Sequence, residues 1–377
     1  MNKTTTARSL ASLMAVIMIA GACSSTPGAT TAPSVAAPSG AAPSDAAPSD
    51  GAPSMGGGEG SYHIGVSNTV QGNGWREEMI CSIRAQALVS GEVERVTVAH
   101  RNTDAAGQLE DLRNLIAADV DAIIVNPVSP EAVNAALAEA SEAGITVIAV
   151  DQAVTDPDAY LMANNQEEYG YLGAKWLFEE MGGEGGVVYM RGAAGATADT
   201  DRDTGFRRAL EEFPDIEIVS ETQTGWDQAT GVQQLNDFLA TGTEFGGIWT
   251  SGIDNVIVDA LKTAGEDFVP VVGADNAGFV QQLLNEEGLT GAAVTNPASV
   301  GGAGVTLAID VLNGDPPAEK AVLVDPVVWE NTSPEGIELL EEANDPDIDP
   351  TWPLGISIPD FTTYSKDELL ACVGPGE

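Results

Sequence analysis

Residues 61–325 predict an α/β protein built as two doubly wound parallel-sheet lobes. Strand and helix patterns alternate throughout this stretch, the strands are continuous apolar runs, and the alternation comes in two successive sets of similar size. An apolar run without polar alternation suits a parallel strand covered on both faces. Repeated strand–helix alternation is the pattern of an open sheet with helices on each side.

The first set opens with a predicted strand over Tyr62–Ser67 and a helix over Trp75–Ser90, where Met79, Ile80, Ile83 and Ala87 fall at helical spacing. A strand over Val93–His100 precedes a helix over Ala105–Ala118, with Leu109, Leu112 and Ile116 on one face. The strand Ala122–Val125, the helix Glu131–Ala143 and the strand Thr146–Val150 complete it. The second set begins with a helix over 166–181 and a strand over Val187–Met190. A Gly/Ala-rich loop then runs to Thr200-Asp201-Arg202, and a helix is predicted near Thr204–Phe213. Further strands are expected at Ile216–Ser220, Gly247–Thr250, Val269–Gly273 and Gly291–Thr295. The helices between and after them are Ala229–Leu239, Asn255–Ala264, Gly278–Asn285 and Val300–Leu312.

The amino-terminal sixty residues read differently. Lys3 and Arg8 precede an apolar stretch from Leu10 to Ala20, the layout of a signal peptide over residues 1–22. Ala20-Gly21-Ala22 before Cys23 resembles a bacterial lipoprotein box, with Ala20 where Leu is usual, so Cys23 is expected to carry lipid; the same three residues also fit the small-x-small site of ordinary signal cleavage. Residues 23–60 form a linker in which Pro33, Pro38, Pro43, Pro48 and Pro53 recur every five residues. As a coil this tether would reach roughly 30–40 Å. It would hold a folded domain just off an extracytoplasmic membrane face. With Cys23 acylated, Cys81 and Cys372 remain, an even pair expected to be oxidised outside the cytoplasm.

Charge excludes one class of partner. Lys plus Arg is 15 against 57 Asp plus Glu, a net charge of −42. Loss of residues 1–22, with two basic and no acidic residues, would bring this to −44. Such a surface repels nucleic acid. With only His63 and His100 and these cysteine spacings, no metal motif is expected. The sequence contains no Ser-His-Asp set, P-loop or dinucleotide fingerprint. Gly182-Gly183 and Gly185-Gly186 precede a strand, as a turn does, rather than following one as a phosphate cradle would. Neither catalysis nor a cofactor is expected.

Ligands of open α/β sheets bind beyond the carboxyl ends of the strands. The residues there are Asn68–Asn73 with Trp75-Arg76, Asn126, Asp151-Gln152, Arg191 with Thr200–Arg202, Gly225-Trp226-Asp227, Ser251–Asp254, Asp275-Asn276 and Asn296. Carboxylates, amides and guanidinium forks match the hydroxyls of a sugar, and Trp offers a face to its ring. Asp254 fits a helix cap equally well. Trp75 and Trp226 stand in polar loops, whereas Trp176 and Trp249 look like core.

These residues also carry a resemblance. Ile64-Gly65-Val66-Ser67 with Gly74-Trp75-Arg76, Ala122–Pro127 with its Asn126, Val147–Asp151, Asp201-Arg202 with Gly205-Phe206, and Val271–Asp275 resemble type I periplasmic sugar-binding proteins. Trp226 matches a position that is usually aromatic. The ribose and galactose branch of ABC importers is the nearest pattern. The resemblance implies two lobes joined by a hinge that close on a monosaccharide, a membrane permease with its ATPase as partner, and a monomer. It implies a ligand set of Asn73, Trp75, Arg76, Asn126, Asp151, Asn164, Thr200, Arg202, Trp226, Asp275 and Asn296. Ile253 replaces a common Asn, Asn296 or Thr295 a common Gln, and Thr200 a frequent Arg. The implied lobes are 61–163 with 296–325, and 164–295, with crossings near Ala163, Asn296 and Val322–Asp325. Residues 326–377 are an extended tail, expected on the first lobe so that a Cys81–Cys372 bond leaves the cleft free. A receptor handing its closed form to a chemotaxis or kinase partner would use the same core. A DNA-binding regulator would need a headpiece where the leader stands.

Overall fold

A computed structural model describes residues 61–377; the expected signal peptide, Cys23 and the linker lie outside the described residues. The chain opens with β1 (Tyr62–Asn68), α1 (Gly74–Ser90), β2 (Val93–His100), α2 (Ala105–Ala117), β3 (Ala122–Asn126), α3 (Asn134–Glu142), β4 (Thr146–Val150) and β5 (Tyr160–Asn164). It continues through α4 (Gln166–Glu180), β6 (Glu184–Arg191), α5 (Thr197–Glu212), β7 (Asp215–Gln223), α6 (Gln228–Leu239), β8 (Gly247–Trp249) and α7 (Asp254–Ala264). Then follow β9 (Val271–Ala274), α8 (Ala277–Asn285), β10 (Gly291–Val294), α9 (Val300–Leu312), β11 (Ala321–Val324), β12 (Val328–Glu330), α10 (Pro334–Ala343) and α11 (Lys366–Ala371).

The strands form two six-stranded sheets, β11-β5-β4-β3-β1-β2 and β12-β10-β9-β8-β6-β7. Every pairing is parallel except that of β12 with β10. Each sheet is covered twice. In the first lobe Ile64, Ile124 and Ile148 pack under α1 and α9, while Ile123, Val125 and Val147 pack under α2 and α3. In the second, Val188, Ile248 and Val271 meet α6–α8, and Val187, Trp249 and Val272 meet α4 and α5. This two-sided burial is why the strands read as unbroken apolar runs. No helix among the described residues is long and apolar enough to cross a membrane.

Three differences from the sequence reading have physical causes. β5 follows β4 through a loop without a helix, so the alternation that marks the other strands is missing there. α5 starts at Thr197 rather than near Thr204, because its first turn is polar and its apolar periodicity starts only at Phe206. The tail does not lie wholly on the first lobe. Leu340, Ile348 and Leu354 bury in the second-lobe core, and only from Ile358 onward does the chain pack against the first. The chain therefore passes between the sheets four times, the fourth near Leu354–Ile358. Its end is fastened where the cysteine count placed it, by a Cys81–Cys372 disulfide between α1 and the cap of α11.

Candidate functional site

A cleft of about 660 Å³ opens beyond the carboxyl ends of both sheets. Asn73, Trp75, Arg76, Asp151, Arg202, Trp226, Asp275 and Asn296 line it.

On the first lobe, Asn73 caps α1 by accepting from the Arg76 N–H. This fixes the first turn and with it Trp75 and Arg76. The Trp75 Nε1–H donates to the Asn296 carbonyl at 2.7 Å. The buried Arg76 guanidinium donates to Asn68 Oδ1 at 2.9 Å and lies 3.6 Å from Asp151 Oδ2. Asp151 leaves β4 with φ +64, a left-handed conformation that costs a non-glycine residue energy. Its neighbours hold it there: Asn126 Nδ2 donates to Oδ2 at 3.2 Å and Gln166 Nε2 to Oδ1 at 3.4 Å. Asn126 is buried behind Asp151 and does not line the cleft.

Between the lobes, Asn164 is also withdrawn from the cleft. Its amide donates to the Pro297 carbonyl at 3.2 Å, tying two crossing segments together. Its neighbour Gln166 was not singled out in the sequence, yet it joins the parts of the site. Besides Asp151, Gln166 donates to Asn296 Oδ1 at 3.1 Å and accepts from Arg202 Nε at 2.7 Å. The available signal was an Asn-Asn-Gln run at a strand end, hidden because β5 itself is not legible.

On the second lobe, α4 and α5 approach closely enough that a Cβ on Gly170 would lie 2.1 Å from the Arg202 carbonyl. That approach places Arg202, whose guanidinium lies 4.2 Å from the centre of the Tyr169 ring and 6.0 Å from that of Trp226. Thr200 is set two residues earlier on the same helix, which at about 100° per residue turns it to another face. It is exposed, bonds back to the Ala196 carbonyl and does not line the cleft. Ile253 is fully buried in the second-lobe core and offers the cleft nothing.

Trp226 has φ +57, and its ring lies on the bare backbone of Gly192, where an added Cβ would come within 2.3 Å of the indole. Gly192→Ala is therefore expected to displace Trp226 and weaken ligand binding about fivefold, since a stacked aromatic contributes on the order of 1 kcal/mol. Titration calorimetry with tryptophan fluorescence would check this; unchanged affinity and emission would count against the contact.

Asp275 is fully buried at the cleft wall. Its Oδ2 accepts from the Asn296 N–H at 2.9 Å, while Oδ1 is buried without a protein partner. Burial pushes its pKa up to about 7, against the opposing pull of the Asn296 N–H and Arg202. Asp254 lies beneath the cleft and accepts from the Gly252 and Ala274 N–H groups and from Asn276 Nδ2. Its pKa is likewise raised to about 7 by burial. A carboxyl with a raised folded-state pKa retains its proton where the unfolded chain has lost it. Stability should then fall as pH rises from about 4 and finish falling above about 7. In ligand-free protein, Asp275→Asn should gain stability over the wild type at pH 8 relative to pH 5. Parallel urea-melt profiles for the two proteins would overturn that assignment.

The cleft thus offers two carboxylates, two guanidinium groups and two indole faces. Asp151 faces Arg76, and Arg202 pulls on Asp275, so the charges offset. The α8 N-terminus offers no free donor to an anion: the Ala277, Gly278, Phe279 and Val280 N–H groups all have protein acceptors. Among the described residues no group of three or more His, Cys, Asp or Glu side chains could hold a metal ion. Across the cleft, the Thr197 N–H donates to Gln152 Oε1 at 3.1 Å, so the lobes touch. Gln152, Ser251 and Asn276 also line the space.

Comparison with known proteins agrees with this architecture. A xylitol-binding protein of Mycolicibacterium smegmatis is 27% identical over 63% of this chain and 69% of its own. The ribose import binding protein of Bacillus subtilis is 22% identical over 68% of this chain and 84% of its own. A crystal structure of an ABC transporter solute-binding protein from Mycobacterium smegmatis with bound glycerol superposes with a TM-score of 0.69. It is 21% identical and covers 78% of this chain and 99% of that one. The periplasmic binding protein domain model matches residues 64–316. With two doubly wound lobes and a cleft between their strand ends, the chain belongs to the periplasmic binding protein domain family.

Proposed function

We propose that this protein is the extracytoplasmic solute-binding component of an ABC importer and captures a neutral monosaccharide or sugar-like polyol. The observation that carries this is the pairing of Asp151 and Asp275, on opposite lobes of one cleft, with Arg76 and Arg202 and flanked by Trp75 and Trp226. Hydroxyls that donate to the carboxylates and accept from the guanidinium groups would join the lobes. The closed form is favoured because only there does the ligand touch both. The names of the relatives, xylitol-binding and ribose import, support the same class. Of the eleven residues implied by the resemblance, eight stand at the cleft, Asn126 and Asn164 support it from behind, and Thr200, turned to solvent on α5, has no part in it.

The reading extends to the whole chain. Residues 1–22 direct export, Cys23 carries lipid, and residues 24–60 tether a monomeric two-lobed domain of 61–163 with 296–325 and 164–295, on both lobes of which the tail 326–377 packs. A thermal-shift screen of pentoses, hexoses and polyols tests the function. A ligand at a hundred times its Kd adds about 2.7 kcal/mol to native-state stability and raises the melting temperature. A panel in which no compound moves it would overturn the reading.

A further inference from the structure

We infer that the carboxyl-terminal segment Pro350–Leu354 forms part of the ligand site and sets its size selectivity, an inference that rests on the binding function proposed above. The family match ends at residue 316, so this wall is additional to the matched region. Thr351 and Pro353 line the cleft together with Asp275 and Asn276.

The segment is held from both lobes. On the second, the Pro350 and Trp352 carbonyls accept from the Gly278 and Ala277 N–H groups at 3.0 and 2.9 Å, and the Leu354 N–H donates to the Asp275 carbonyl at 2.9 Å. Asn276 and Pro353 form an antiparallel bridge. The tail thus clasps four consecutive residues, Asp275 through Gly278. On the first lobe, the Thr351 carbonyl comes so near Gly74 that a Cβ there would lie 2.4 Å from it. Gly74 begins the turn that presents Trp75 and Arg76. The segment therefore stands between the two helix starts that carry the ligand-facing groups, closing one end of the cleft. Its contacts are mostly backbone bonds, and Leu354 is buried in the second-lobe core, so the wall does not yield easily to a longer ligand. The Thr351 hydroxyl donates to Asp349 Oδ1 at 2.7 Å. Its proton is committed and its lone pairs remain to accept from a ligand hydroxyl.

The experiment compares wild type, Thr351→Phe and Thr351→Val by calorimetry on the same pentose, hexose and polyol panel, with melting temperatures of the ligand-free proteins. Phe adds bulk at the wall. It should weaken hexoses about tenfold or more relative to the smallest polyol that binds, because an overfilled pocket discriminates by size. Val keeps the shape and removes the hydroxyl. It should lower affinity for the best ligand by up to about tenfold, the value of one neutral hydrogen bond, with only the small drop in melting temperature that loss of the exposed bond to Asp349 brings. An equal loss for every ligand with Phe, alongside a lower melting temperature, would show a merely structural segment and overturn the inference. Affinities unchanged in both variants would overturn it too. Should Phe fail to fold, the Val result decides. A wild type that binds nothing on the panel removes the binding function itself, whereas failure of the wall alone leaves wild-type binding intact.

Discussion

Asp275→Ala is expected to lower sugar affinity by about tenfold to a hundredfold while the ligand-free protein stays folded. The carboxylate is fully buried, and one of its oxygens lacks any protein donor. An unpaired buried acceptor of this kind is costly, and in the proposed site a ligand hydroxyl would relieve the cost. A hydrogen bond to a charged group contributes about 1.5–3 kcal/mol, and the loss of 2.8 kcal/mol would be about a hundredfold. Removing the carboxylate also orphans the Asn296 N–H, but it eliminates a buried acid, so the two effects on stability oppose one another. The melting temperature without ligand should change little, and calorimetry should find correspondingly weaker binding. Affinity within about threefold of wild type, where less than 0.7 kcal/mol is lost, would remove Asp275 from the site.

What made Asp275 and Asp151 legible also explains what was not. Both end continuous apolar strands, Val271–Ala274 and Thr146–Val150, in sheets buried on two faces. In such a sheet, a charged residue directly after an apolar run has few places to be except the carboxyl-end cleft. Gln166 had no such marker, because β5 arrives without a preceding helix. Thr200 turns away from the cleft for a related reason. Where a helix begins decides which way each side chain turns, and the first turn of α5 has neither a capping side chain nor an apolar stripe. Asn126 and Asn164 illustrate a third limit. Position at a strand end places a residue near a cleft, but only packing decides whether it faces the ligand or supports the group that does. The tail is the extreme case. Leu340, Ile348, Leu354 and Ile358 are buried with no single period, because they serve two different cores.

Loss of the disulfide should cost stability and spare binding. Cys81 and Cys372 are separated by 291 residues, so the bond closes nearly the whole folded chain into one loop. Restricting so long a loop in the unfolded state stabilises the native one by several kcal/mol in the chain-entropy account, with about 3 kcal/mol typical. Cys81→Ser with Cys372→Ser should then lower the melting temperature by about 5–10 °C. Locally, the loss falls on α11. Six residues are too few to hold a helix unaided, so its contacts with α1 must supply the rest. Arg84 helps, donating to the Cys372 carbonyl at 3.2 Å and pairing with Glu377 at 3.0 Å, but the pair is partly exposed and contributes little. Both ends of the disulfide lie on the first lobe, so it does not bridge the cleft and places no direct restraint on closure. The clasp at Pro350–Leu354 has its own anchors in the second lobe through Ile348 and Leu354. Affinity in the double variant should accordingly stay within about threefold of wild type, a difference below 0.7 kcal/mol. An unchanged melting temperature would mean the cross-link contributes no stability. A collapse of affinity would mean that the far end of the tail, and not only its clasp, holds the ligand site in place.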